Sequence, residues 1–194
     1  MFKCQIIDKF STPIKNFLYL FFKIGCTVRA YDPTSKVKMN AEAMKFDNLH
    51  YYKIGIGKHD SETSIFLKNE EEIIKIRTLE TILKMNGDEN KPLTYLKVDI
   101  EGFEIWSLKN WMNSNALRNV EQLGIEMHTC CNVIKKSNTK EFGNIDIFMK
   151  HILSHHRLKL VAYNPNRCYG KIHDTQKIYF SHHDILFVKD DQML

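Results

Sequence analysis

The sequence predicts an open α/β sheet, mostly parallel, with helices on both faces. Three features carry that expectation. β-prone stretches and helix-forming stretches alternate along the chain, strand and helix following one another four times. The clearest strand, Tyr95 to Ile100 (YLKVDI), runs directly into Glu101-Gly102 and a helix. A last strand, Asp184 to Lys189 (DILFVK), closes the pattern.

Each element follows from local chemistry. Ser11-Thr12-Pro13 offers a hydroxyl cap and a first-turn proline, so a helix is expected from there to about Ile24, stopped by Gly25. Cys26 to Tyr31 alternates and is β-prone, and Asp32-Pro33-Thr34 ends it. Ser35 to Met44 reads as a polar-faced helix, and Tyr51 to Ile56 (YYKIGI) as one strand before the turn-rich Gly57 to Ser61. Thr63 to Leu67 and Ile73 to Arg77 are short extended segments. Thr78 to Met85 is a helix opened by a hydroxyl cap and an early glutamate. Beyond the Tyr95 strand come a helix from Phe103 to Asn113, a strand from Gln122 to Met127 and a helix from Phe142 to His156. Leu158 to Tyr163 is a strand that should end in a turn at Asn164-Pro165-Asn166.

Size and composition narrow the class. The 194 residues suit a single domain spanning the chain, and 43% apolar with 26% charged residues exclude a disordered or fibrous protein. The net charge of +5 is spread without a dense basic block, a weak signal for nucleic acid. Five cysteines, with no C-x-x-C pair and no N-x-[ST] acceptor, favour a reducing, cytoplasmic setting; a secretory or membrane-associated one would follow if the N-terminus is incomplete. The apolar run Phe17 to Phe22 is bracketed by Lys15 and Lys23, far short of the roughly 20 residues that a membrane span needs.

In such sheets ligands bind outside the carboxyl ends of the strands. That rule selects Asp32, the loop after Ile56, Asp99 with Glu101, and Glu126 with His128. A buried strand gains nothing by ending in carboxylates, because desolvating a charge is costly unless it is paired. Asp99 and Glu101 leave the same face if the strand persists, and Gly102 permits a tight turn. Such a pair accepts a proton, holds a cation or orients a polar substrate; the alternative is helix capping with a salt bridge. Asp32 suits the ribose hydroxyls of an adenosine cofactor, or else simply starts the turn at Pro33. Gly55-Ile56-Gly57 lacks the third glycine of a dinucleotide loop. His128 is a base, a metal ligand, a substrate clamp or a plain loop residue; with Cys130 and Cys131 it matches no zinc spacing, so no metal is expected. His155-His156 and His182-His183 read as surface-loop histidines, and Trp106 and Trp111 as packing residues.

The stretch Y-L-K-V-D-I-E-G-F-E-I-W-S-L, with R-T-L-E-T-I-L upstream and Q-L-G-I-E-M-H downstream, resembles the FkbM-like class I methyltransferases, and more narrowly the animal methyltransferase-like proteins. G-C-T-V-R-A-Y-D-P-T and Y-Y-K-I-G-I-G belong to the same resemblance, which runs from about Gly25 to the C-terminus. It implies a Rossmann-like sheet of seven strands whose last strands form an antiparallel pair. It also implies S-adenosylmethionine as cofactor and a polar acceptor, an oxygen. By position it puts Asp32, Gly57, Asp60 and Asp99 on the cofactor side and Asp99, Glu101 and His128 at the catalytic side. The sequence departs from the family in one place. The family binds the methionine part of the cofactor with a glycine-containing loop after the first strand, and Met1 to Pro13 contains no glycine. Against the family, residues 1–24 therefore read as an atypical or truncated first strand, with Lys3 to Ile7 as its remnant, and first helix. The alternative to an enzyme is a non-catalytic, methyltransferase-like binding protein that has lost the cofactor.

Overall fold

The structure, a computed structural model, describes residues 3–8, 25–34, 47–67, 70–100, 103–128, 149–171 and 178–190. Its main sheet contains β1 (Lys3–Asp8), β2 (Thr27–Tyr31), β3 (Leu49–Tyr52), β7 (Tyr95–Asp99), β8 (Gln122–His128), β9 (Leu158–Lys171) and β10 (Ile178–Lys189). A smaller sheet is formed by β4 (Ile54–Ile56), β5 (Ser61–Leu67) and β6 (Glu70–Arg77). Two helices are α1 (Leu79–Met85) and α2 (Glu104–Asn113), and residues 149–155 are also helical. Among the described residues no helix is long and apolar enough to cross a membrane.

The seven strands lie in the order β3-β2-β1-β7-β8-β10-β9. All neighbours pair parallel except β10, which runs antiparallel to both β8 and β9. The seven strands and the antiparallel element expected from the resemblance are both present. Alternation explains why these segments are strands: Val28 and Ala30 of β2, Leu96 and Val98 of β7, and Leu123, Ile125 and Met127 of β8 are buried at every second position. They join Ile82, Leu117, Ile152 and Phe187 in one apolar core.

Several boundaries differ from the sequence reading. Lys3 to Asp8 forms β1, an interior strand of the main sheet, paired over five residues with β2 and over five with β7. Tyr51 to Ile56 is two strands. Lys53 interrupts it, so β3 joins the main sheet and β4 the small one, where β5 and β6 form an antiparallel hairpin. β9 does not stop at Asn164-Pro165-Asn166 but continues to Lys171, with Pro165 opposite His183. Proline has no N–H for a ladder and is tolerated here because β9 is the last strand of the sheet. Helix α2 begins at Glu104, with Phe103 as its N-terminal cap residue. The expected helices at Ser11 to Ile24 and Ser35 to Met44 lie outside the described residues, as does the first part of the Phe142 to His156 helix.

The histidines are also placed differently. His182 and His183 belong to β10, and His183 stacks on Tyr163. His155 ends the 149–155 helix, stacked on His151, and His156 follows half-buried, its ring tilted against His151. Burial pushes His156 down to about 4, and the neighbouring His151 and His155 push the same way. The folded chain therefore resists a proton that the unfolded chain accepts near 6.5. Stability is expected to be complete above about pH 6.5 and to fall as the pH drops from there toward about 4. His156→Gln should flatten the melting temperature between pH 7 and pH 5; an unchanged slope would place the acid sensitivity elsewhere.

Candidate active site

The chain winds outward from β1 to β2 and β3, then returns to the other side of β1 to lay down β7 and β8. The switch falls between β1 and β7, and their carboxyl ends flank the crevice that such a reversal opens. Asp8 and Asp99 end these two strands and are register partners.

The period of two sets which side chains meet there. Leu96, Val98, Leu123, Ile125 and Met127 fill the core face. On the other face Tyr95, Lys97 and Asp99 of β7 lie beside Gly124, Glu126 and His128 of β8. A Cβ on Gly124 would run onto the Tyr95 hydroxyl, so glycine is what lets that ring lie across β8. One step on, Lys97 Nζ stands 3.8 Å from Glu126 Oε2. At the carboxyl end His128 Nε2 lies 3.8 Å from Asp99 Oδ1 and 3.9 Å from Glu126 Oε1.

Glu104 completes the group from the first turn of α2. It is 0% exposed, and its Oε1 accepts the Ile100 backbone N–H at 2.7 Å and faces His128 Nδ1 at 3.1 Å. An ionised carboxylate only accepts, so this contact puts the imidazole proton on Nδ1 and turns Nε2 toward Asp99 and Glu126. Burial alone would lower the affinity of His128 for a second proton. The hydrogen bond and charge of Glu104, with the charges of Asp99 and Glu126, outweigh it and hold His128 above the ordinary histidine value. Glu126 is raised by burial first, then by the charge of Asp99 and a hydrogen bond shared with it, against the opposing pull of Lys97 and His128.

The structure thus brings Asp99 and His128 together. Glu101 lies outside the described residues. Glu104, which sequence reasoning missed, takes the position against the imidazole. An acid in a first helical turn ordinarily reads as a complement to the helix dipole. The available signal was its place three residues past Glu101 and directly after the turn.

Asp32 is buried at the end of β2. Its Oδ1 accepts the Thr34 backbone N–H and the Thr34 hydroxyl, both at 2.8 Å, and its carbonyl accepts the Tyr51 hydroxyl at 2.7 Å. With β1 between β2 and β7, Asp32 and Asp99 stand two strand spacings apart, roughly 10 Å, at the same end of the sheet. Asp60 serves α1: its carboxylate accepts the Thr78 N–H at 2.7 Å and the Thr81 hydroxyl at 2.9 Å. Gly57 follows β4, donates to the Arg77 carbonyl at 3.0 Å, and has no room for a Cβ, which would meet Ile76 Cγ2 at 2.6 Å. Gly57→Ala is therefore expected to cost about 1–3 kcal/mol by overpacking. For a chain of this size that is roughly 2–4 °C of melting temperature per kcal/mol, and an unshifted melt would refute the steric account.

A cavity of about 290 Å³ opens between Glu80, Leu83, Asn90 and Arg118. These residues adjoin the approach to the amino end of β7, away from the His128 cluster, so the cluster defines the site. None of the curated proteins compared with the chain matches it. The family model for a methyltransferase domain matches residues 19–169, well over half of the chain, and the structure adds β1 before that stretch and β10 after it. With Asp99, Glu126 and His128 gathered at the carboxyl ends of β7 and β8 and this match across most of its length, the chain belongs to the methyltransferase-domain family, a family of S-adenosylmethionine-dependent methyltransferases.

Proposed function

We propose that the chain is an FkbM-like class I enzyme that methylates an oxygen acceptor at the carboxyl ends of β7 and β8. The observation that carries this reading is the alignment Glu104–His128–Asp99, a buried carboxylate orienting an imidazole whose second nitrogen faces another carboxylate. S-adenosylmethionine, when bound, supplies an electrophilic methyl group on a sulfonium whose sulfur keeps the electron pair of the broken S–C bond. The donor set suits that group: Asp32 offers a buried carboxylate at the end of β2 for a ribose diol. The acceptor oxygen forms the new C–O bond with a lone pair and must lose its proton. His128 Nε2 and Asp99 are the groups placed to receive it, and Glu104 stabilises the imidazolium that results. Holding the acceptor in line with the methyl group supplies much of the rate.

Calorimetric titration of the chain with S-adenosylmethionine tests this reading, and Asp32→Ala sharpens it. Loss of hydrogen bonds to a charged acceptor should weaken binding by about 1.5–3 kcal/mol, while loss of the two Thr34 contacts separately lowers the melting temperature. Equal affinity in the variant would leave Asp32 as the anchor of the Thr34 turn and nothing more. The absence of glycine from Met1 to Pro13 supports a second reading, a methyltransferase-like binding protein without turnover. That reading predicts no heat of binding with S-adenosylmethionine in a chain that melts cooperatively.

A further inference from the structure

We propose that Asp99, Glu126 and His128 form a binding site for a divalent first-row cation, with Glu104 as the outer carboxylate that fixes the imidazole. The distances fit shared coordination better than direct pairing. At 3.8 and 3.9 Å, His128 Nε2 is too far from Asp99 Oδ1 and Glu126 Oε1 for hydrogen bonds. Ligands held at about 2.0–2.2 Å from one ion stand about 3–4 Å from each other. Asp99, Glu104 and His128 also present ligand atoms that all lie within 4.8 Å of one another.

A second observation points into the same space. Asp99 Oδ1 is buried, with less than 1 Å² exposed, and has no hydrogen-bond partner among the described residues. A carboxylate oxygen in that condition is costly unless something cationic meets it. The Glu104–His128 contact then has the form usual for a metal-bound histidine, whose distal N–H is held by a carboxylate. One imidazole with two carboxylates suits Mn²⁺ or Zn²⁺ better than Ca²⁺.

What the cation does rests on the methyl-transfer reading; that it binds does not. Bound here, it would take the acceptor oxygen as a ligand and lower the pKa of the hydroxyl. The proton would then pass to water before the methyl group arrives, relieving His128 and Asp99 of that task.

The test is a calorimetric titration of the chain with MnCl₂, compared with Asp99→Asn and Glu126→Gln. One ion per chain is expected, bound at least tenfold more weakly by each variant; Glu104→Gln should lose about 10–100-fold. Proton NMR of the wild type keeps the test independent of whether the variants fold. Substoichiometric Mn²⁺ should broaden the ring signals of His128 before those of His151 and His155. No binding, unchanged affinity in both carboxylate variants, or broadening of the His151–His155 pair first would each overturn the site. The two proposals fail separately. Methyl transfer undiminished in EDTA removes the cation from the reaction and leaves the methyltransferase reading; Mn²⁺ binding at His128 without S-adenosylmethionine binding keeps the site and removes that reading.

Discussion

Asp99→Asn is expected to keep the fold and most of the affinity for S-adenosylmethionine while lowering turnover by about 10²–10⁴-fold. Asparagine matches aspartate in shape, so β7 and its parallel partners β1 and β8 should be undisturbed. What disappears is the charge beside His128 Nε2, at 3.8 Å, and with it a proton acceptor or an ion ligand. The loss should fall on kcat, because the group acts on an acceptor that is losing its proton and not on the bound cofactor. Calorimetry with S-adenosylmethionine and single-turnover transfer, measured on the same preparation, separate the two effects. Turnover within threefold of wild type would remove Asp99 from the chemistry. In the binding-protein reading the same substitution changes only the affinity for a partner.

The sequence made some of this arrangement legible, for physical reasons that differ by element. β7 and β8 were readable because both are buried on one face and end in polar residues, so alternation marked the strand and its break marked the end. From that, Asp99 and His128 could be placed at one edge. Their separation could not, since it depends on the register between β7 and β8, which pairs Val98 with Ile125 and leaves Asp99 diagonal to His128. Glu104 was harder. Helical periodicity says which face of α2 is buried only once its partner is known, and a glutamate on that face looks like an error until His128 stands opposite. The division of Tyr51 to Ile56 between two sheets was also illegible. Its residues are β-prone throughout, and nothing local distinguishes a strand that changes partner at Lys53. Gly55-Ile56-Gly57 lacks the third glycine of a dinucleotide loop, and both glycines lie against the Ile76 side chain of β6.

Trp111→Ala should cost the fold about 3–5 kcal/mol, a large part of the 5–15 kcal/mol that typical domains possess. Trp111 heads the fully buried side chains by volume and sits in the apolar core with Leu117 and Leu123. Glu104, Ser107 and Trp111 are all 0% exposed and follow the spacing of three and four that puts residues on one face of a helix. The tryptophan therefore seats the same face of α2 that presents Glu104 to His128, and packing at one end of the helix holds the geometry at the other. Truncation to alanine should lower the melting temperature by roughly 6–20 °C. It should also loosen the Glu104–His128 contact in molecules that remain folded, so activity per folded chain falls as well. Trp111→Phe retains most of the volume and should show a fraction of each effect. Denaturant titrations of the two variants decide the matter: a midpoint for Trp111→Ala indistinguishable from wild type would mean that α2 is seated by other contacts. A stability loss without any loss of activity per folded chain would mean that Glu104 keeps its place unaided, held by the Ile100 N–H alone.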